Sequence, residues 1–294
     1  MPQTRRNGSS VLDKLASPRA LGKAAPNGHL HSMDVFASDV LAYKGVVVAV
    51  WFALFFLGER LAPAATTARG WFGDWPRLLK NGGLFAINTG LSVLILLPAT
   101  LWAAGFTLGL RPDWWSGWTG FALDLLVLDF WIYWWHRANH NAGLLWRFHE
   151  VHHLDRFLDT SSAVRFHFGE VILSVCVRAV VIVLWDIPFA TVVAFEGLVL
   201  IAAIFQHSNL RLPRAFERPL SFLIITPSIH WVHHHAVQRD TDSNYGTVLS
   251  LWDRIFGSLS PTERTPDMEI GTQGRAERDF PGLLANPVLS RGLG

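Results

Sequence analysis

The chain has 294 residues, of which 50% are hydrophobic and only 16% charged, with a formal net charge of +2. A soluble domain carries about a quarter of its residues charged, and a near-neutral chain without basic runs lacks the footprint of a nucleic-acid binder. One cysteine excludes an internal disulfide framework and any cysteine-based zinc or iron–sulfur site, while fourteen tryptophans suit the aromatic belts of a membrane interface.

Residues 1–38 are polar, rich in Gly, Pro, Ser and Arg, and without apolar periodicity, so a disordered tail is expected. His29 and His31 fall in it and read as incidental. The first apolar segment runs from Val40 to Leu57 and is interrupted only by Lys44. The second, Gly82 to Leu110, holds no charge and exceeds the roughly 20 residues that span hydrocarbon. The third, Trp118 to Trp135, is apolar except for Asp124 and Asp129. Val171–Trp185 and Phe189–Phe205 follow, joined at Asp186-Ile187-Pro188, where the proline favours a break. They read as a hairpin that just crosses the bilayer or dips in and returns. Arg178 and Glu196 lie at equal distances from Ile187, so an antiparallel hairpin sets them at one depth. They are expected to pair, because isolated charges in hydrocarbon are costly. Cys176, inside the same apolar stretch, reads as a small buried hydrophobe. Residues 39–260 thus form the membrane-embedded unit, and residues 261–294, again polar, an irregular C-terminal tail.

Charge asymmetry suggests an orientation. The loop of residues 58–81 carries Arg60, Arg69, Arg77 and Lys80, and the stretch after Trp135 carries Arg137, Arg147, Arg156 and Arg165. Only Arg111 lies between the second and third segments. By the positive-inside rule the histidine-rich stretches face the cytoplasm. The basic N-terminal tail would then lie outside if the first segment spans, so a re-entrant first segment is the alternative.

Eleven of the thirteen histidines fall between residues 136 and 235. On a helix, residues i, i+3 and i+4 share a face. His149, His152 and His153 therefore form one stripe, His230, His233 and His234 a second, and His136 and His140 a pair. Neutral imidazole suits iron, zinc or copper, and these eight supply enough nitrogen for two metal ions. His207 stands alone at the end of an apolar helix, where a turn brings it to the clusters. His167 is left open between ligand, partner of a ligand and surface residue. His235 is turned about 140° from His230 and points away. Asp129, seven residues before His136 on the same face, is the candidate to accept the far N–H of that imidazole. Glu150 is off the stripe and is no ligand, and no Glu-x-x-His pair of the carboxylate di-iron bundles is present. No Gly-x-Gly-x-x-Gly fingerprint is present either, so electrons for redox chemistry must come from a separate protein. A membrane metal-binding or transport protein is the rival class, disfavoured because transporters place ligands at mid-membrane.

The series HRANH, HEVHH, RFH, QHSN and HWVHHH, followed by NYG at Asn244–Gly246 and LWDRIFG at Leu251–Gly257, resembles the fatty acid hydroxylase superfamily. So does the lead-in DFWIYWWHR at Asp129–Arg137. The resemblance covers roughly residues 85–260. It implies an all-α fold: an integral-membrane helical bundle with a cytosolic histidine-rich cap, in a bacterial inner membrane. It further implies two non-haem iron ions, O2 as co-substrate, and hydroxylation or desaturation of a fatty acyl, sterol-like or alkyl lipid taken from the bilayer. Carotenoid hydroxylation by the same metal chemistry is the near alternative. By the same resemblance His136, His140, His149, His152, His153, His207, His230, His233 and His234 carry the metals. Phe168 stands where many members have proline after the RFH histidine.

Overall fold

The computed structural model describes residues 29–66 and 74–290, and among these no strand occurs. Helix α1, His29–Leu61, is continuous over 33 residues, about 50 Å at 1.5 Å per residue. Residues 29–38, expected in the tail, continue this helix, because Pro26 and Gly28 are the last breakers before it. Residues 1–28 and the side chains of His29 and His31 lie outside the described residues. Helix α1 is unbroken and includes Ala42–Leu61, a stretch long and apolar enough to cross a membrane.

Helix α2, Trp75–Leu91, opens with Pro76 in its first turn. It passes through a π turn, Ser92–Leu96, into α3, Leu97–Ala104. The wider turn falls just before Pro98, which has no N–H to continue the regular ladder. This element starts before Gly82 and ends before Leu110, so Arg77 and Lys80 belong to a helix and not to a loop. Helix α4, Gly117–Asn141, carries the third apolar segment and the first histidine pair without a break. Helix α5, Gly143–His153, and a 3₁₀ turn, Thr160–Val164, follow. The hairpin is α6, Phe168–Trp185, and α7, Phe189–His207. It reverses at Asp186, a left-handed residue (φ 49°) whose carboxylate accepts from Leu108 N–H at 2.9 Å. Short helices complete the cap: α8, Arg214–Leu220, α9, Pro227–His233, α10, Gln238–Thr241, and α11, Leu251–Ile255.

Among the described residues, four stretches are long and apolar enough to cross a membrane: Ala42–Leu61, Trp75–Ala104, Phe168–Trp185 and Phe189–His207. Helix α1 packs along α7, α3 along α6, and α4 reaches both hairpin helices. Leu128, Ile182, Ile187, Val192 and Phe195 form the core between them. The outward faces are apolar as well: Val46, Leu54, Leu94 and Trp102 are all exposed, as lipid-facing side chains are. Cys176 belongs to that outward face and is exposed, not buried. Arg178 Nη2 meets Glu196 Oε1 at 2.8 Å as expected, and Lys44 of α1 joins them at 3.0 Å.

The cap is held by buried charge. Arg77 donates to Asp155 (2.8 Å), to Asp159 and to the Phe157 carbonyl. Arg165 donates to Asn81, to the Val151 carbonyl and to Glu277. Burial alone would lift the Asp155 carboxyl, but Arg77 and Arg165 beside it hold it below its ordinary range. Two arginines that weighed in the orientation are therefore interior ion-pair partners and not solvated loop charges. The C-terminal residues also depart from an irregular tail. Helices α12, Phe280–Leu284, and α13, Asn286–Leu289, dock on the cap. Leu283 is buried against Leu84, Val151 and Leu154, and Asn286 donates to the Arg147 carbonyl and to Glu150.

Breaking the buried network strands charge in the interior. Arg77→Leu is expected to destabilise the detergent-solubilised protein by about 3–5 kcal/mol. Arg214→Ala, which removes the exposed pair with Glu263, should leave the apparent Tm essentially unchanged. Thermal unfolding of the two variants side by side checks the contrast.

Candidate metal centre

Four elements bring nine imidazoles together. The last turns of α4 supply His136 and His140, α5 supplies His149, His152 and His153, and the last residue of α7 is His207. Helix α9 with its C-terminal cap supplies His230, His233 and His234. They sort into two groups. One ring nitrogen each from His136, His140, His149, His153 and His233 lie within 4.8 Å of one another, and so do those of His152, His207, His230 and His234. The groups adjoin: the His153 and His234 rings are stacked with centroids 4.4 Å apart. All nine histidines expected as ligands fall in these two groups. The helical stripes, however, are shared out, with His152 separating from His149 and His153, and His233 from His230 and His234.

The far side of the rings fixes their tautomers. His136 Nδ1 meets the Tyr245 carbonyl at 2.8 Å, His152 Nδ1 that of Arg165 at 3.1 Å, His207 Nδ1 that of Ala203 at 2.7 Å, and His233 Nδ1 that of Ser243 at 2.6 Å. A carbonyl only accepts, so each Nδ1 carries the hydrogen and each Nε2 presents its lone pair. His149 Nδ1 is 2.9 Å from Glu170 Oε1 in the same sense. His152 and His207 consequently face each other lone pair to lone pair at 3.1 Å. Two acceptors at that distance repel unless a cation lies between them. The Nε2 atoms of His140, His149 and His233, and both ring nitrogens of His153, are buried without a hydrogen-bond partner. Buried polar atoms are rarely left so. A pair of divalent metal ions is what this donor set fits.

Burial keeps the rings neutral, which ligation requires. Removal from water and neighbouring imidazoles hold His152, His153, His230 and His234 well below the ordinary histidine value. Burial pushes His233 down to about 3.

Asp129 does not serve His136. It accepts from Val248 N–H, Leu249 N–H and Trp252 Nε1, because α4 turns it toward the loop after residue 245. That loop in turn holds the ligand: Asp253 accepts from Tyr245 N–H and Gly246 N–H, both at 2.8 Å, which aims the Tyr245 carbonyl at His136. Asn244 is left-handed (φ 54°), and a Cβ on Gly246 would lie 2.7 Å from Ile225. The NYG and LWDRIFG segments are thus two halves of one clamp. Asp124, at the opposite end of α4, is gripped by Arg111 through two 2.9 Å bonds.

His167 is neither ligand nor partner of one. Its Nδ1 accepts from Gly169 N–H, capping α6, and its Nε2 donates to the Leu284 carbonyl, tying down the C-terminal segment. Glu150 bonds Asn286 and Arg275, and His235 pairs with Asp240, so both stay outside the centre as expected. The residue that sequence reasoning missed is Glu170. Its only sequence signal is an acid in the first turn of an apolar helix, three residues after His167.

A cavity of about 530 Å³ opens beneath the centre. His136, His149, His152, His207 and His230 line its head, and side chains of α3, α6 and α7, such as Leu97, Val175 and Val193, form its walls.

A family model described as fatty acid hydroxylase matches residues 121–258, which include all nine of these histidines. The ornithine lipid hydroxylase of Rhizobium tropici is 27% identical over 266 residues, covering 87% of this chain and 79% of that protein. The alkylglycerol monooxygenase of Danio rerio is 32% identical over 153 residues, 52% of this chain and 33% of that protein. A very-long-chain aldehyde decarbonylase of Arabidopsis thaliana is 27% identical over 208 residues, 64% of this chain and 29% of that protein. The chain therefore spans only about a third of the latter two. No solved structure matches it. With the histidine series, the helical bundle and these relatives in agreement, residues 121–258 form a fatty acid hydroxylase domain.

Proposed function

We propose that the chain is an integral-membrane oxygenase that hydroxylates a lipid C–H bond, with two non-haem iron ions and O2. The observation that carries this reading is the junction of two all-imidazole groups with an apolar cavity. The named activities of the relatives support oxygen insertion into lipids. Iron with O2 and two electrons supplies the oxidant that an unactivated C–H bond demands, which no side chain provides. One oxygen atom goes to the product hydroxyl, and the other leaves as water with two protons and two electrons. Desaturation, removing a second hydrogen instead, is the alternative outcome.

The chain's own part is binding, orientation and exclusion of water. A ligand set made of imidazoles alone would leave the charge of two divalent ions uncompensated. Glu170 supplies the negative charge nearest to it, fixing the His149 ring through the Nδ1 hydrogen. His136 is the ligand left half-buried, on the cavity side. The cavity walls seat a hydrocarbon chain against the Nε2 side of the rings. The ligands lie at one end of the spans and not at mid-membrane, which is the layout of a lipid-modifying enzyme and not of a metal transporter. We place that end at the cytoplasmic face of a bacterial inner membrane, where a separate electron-donor protein delivers the electrons.

Purified protein is expected to hold about two irons per chain, bound by nitrogen donors alone. His207→Ala, which opens only the four-residue group, should cut that content to about one and abolish O2-dependent product formation. Full metal content and activity in this variant would refute the assignment. Glu170→Gln keeps the shape but loses the charge, and should weaken metal affinity or turnover by about 10–100-fold. Metal titration followed by a turnover assay reads both effects.

The pH dependence has a definite sign. The depressed values of His152, His153, His230, His233 and His234 mean that the folded apo-protein keeps them neutral, whereas the unfolded chain protonates them below about 6.5. Their contribution is fully present above that pH and is lost as pH falls through it. The apo-protein's apparent Tm should therefore fall between pH 7 and pH 5, and a flat profile would contradict the burial of these rings.

A further inference from the structure

The same cavity that meets the histidines also meets three charges: Lys44 of α1, Arg178 of α6 and Glu196 of α7. Glu196 uses one oxygen for Arg178 and the other for Lys44, so the trio carries a surplus positive charge. Arg178 Nε is buried and has no partner. The position is accommodated in the backbone, since a Cβ on Gly197 would press on the Lys44 stem at 3.4 Å. A structural lock between helices needs one cation per carboxylate; here a second cation and an unpartnered N–H line an apolar-walled cavity, and an anionic group would offset both.

We propose that Lys44, Arg178 and Glu196 form a subsite for the anionic headgroup, carboxylate or phosphate, of a single-chain amphiphile. This rests on the reading of the cavity as the lipid's seat and names the class of lipid. Along α6, Arg178 lies about 12 Å from Glu170, and along α7, Glu196 lies about 16 Å from His207, at 1.5 Å per residue. An extended chain advances about 1.25 Å per methylene, so roughly ten to thirteen methylenes bridge that gap. The subsite therefore sets which carbon reaches the histidine end, selecting a C–H far from the headgroup. Glu196 tunes the site by sharing both cations, which keeps the empty subsite from holding two unpaired charges.

The test is ligand binding to zinc-loaded protein in a neutral detergent, without O2 or reductant, so that failure of the oxygenase reading leaves it intact. Palmitate, hexadecyl phosphate and hexadecanol are titrated separately. At least one of the two anions should bind roughly tenfold tighter than the alcohol, and the tighter of them identifies the headgroup. Lys44→Gln and Arg178→Gln should each reduce this preference while hexadecanol affinity stays the same. Glu196→Gln, which frees both cations, should increase it. Equal binding of all three probes by the wild type would overturn the proposal. So would variants that lose thermal stability together without changing the preference, the result expected of a mere interhelical clamp.

Discussion

Nine imidazoles gathered with lone pairs converging form an arrangement that is repulsive by itself. His152 and His207, each committed to a backbone carbonyl through Nδ1, cannot hydrogen-bond to one another across their 3.1 Å gap. His136, His149, His152, His207 and His233 are each fixed from behind by an acceptor that cannot donate, and cations placed between the rings would turn repulsion into ligation. The remainder of the cap can be understood as the means of holding these rings where they would not otherwise stay.

That support is itself polar and buried, which is unusual beside so apolar a bundle. Asp253 and Asp129 hold the turn whose carbonyl meets His136, drawing on backbone N–H groups and the Trp252 indole. Arg77 and Arg165 lock α2 to the segment between α5 and α6, and Arg165's own carbonyl orients His152. The C-terminal helices close over α5 through Asn286 and His167. Satisfied networks of this kind rigidify a site, whereas partly satisfied ones destabilise it. Ring nitrogens of His140, His149, His153, His230, His233 and His234 are among the buried atoms without a hydrogen-bond partner, as is Arg178 Nε.

The helical spans and the ligands were legible in the sequence because both follow simple periods. Apolar runs mark the hairpin helices, and the i, i+3, i+4 spacing marks His149, His152 and His153 as one face. Equal offsets from Ile187 were enough to pair Arg178 with Glu196. What the period does not encode is which cavity a side chain enters. Residues three and four apart fan out across the helix face, so His152 joins one group while His149 and His153 join the other. Asp129 shows a further limit. Its seven-residue offset from His136 is a shared face within one helix, but the competing backbone donors of residues 248 and 249 lie more than a hundred residues away. Glu170 escaped notice for the same reason, its partner being supplied by another helix. Arg77 read as a solvated loop charge because its carboxylate partners are just as distant in sequence.

The central claim is that two metal ions sit in two separate imidazole cages. Anomalous diffraction recorded on either side of the iron absorption edge tests it most directly. The account predicts two iron peaks, one among His136, His140, His149, His153 and His233 and the other among His152, His207, His230 and His234. A single peak, or iron lying outside either cage in fully active protein, would contradict it.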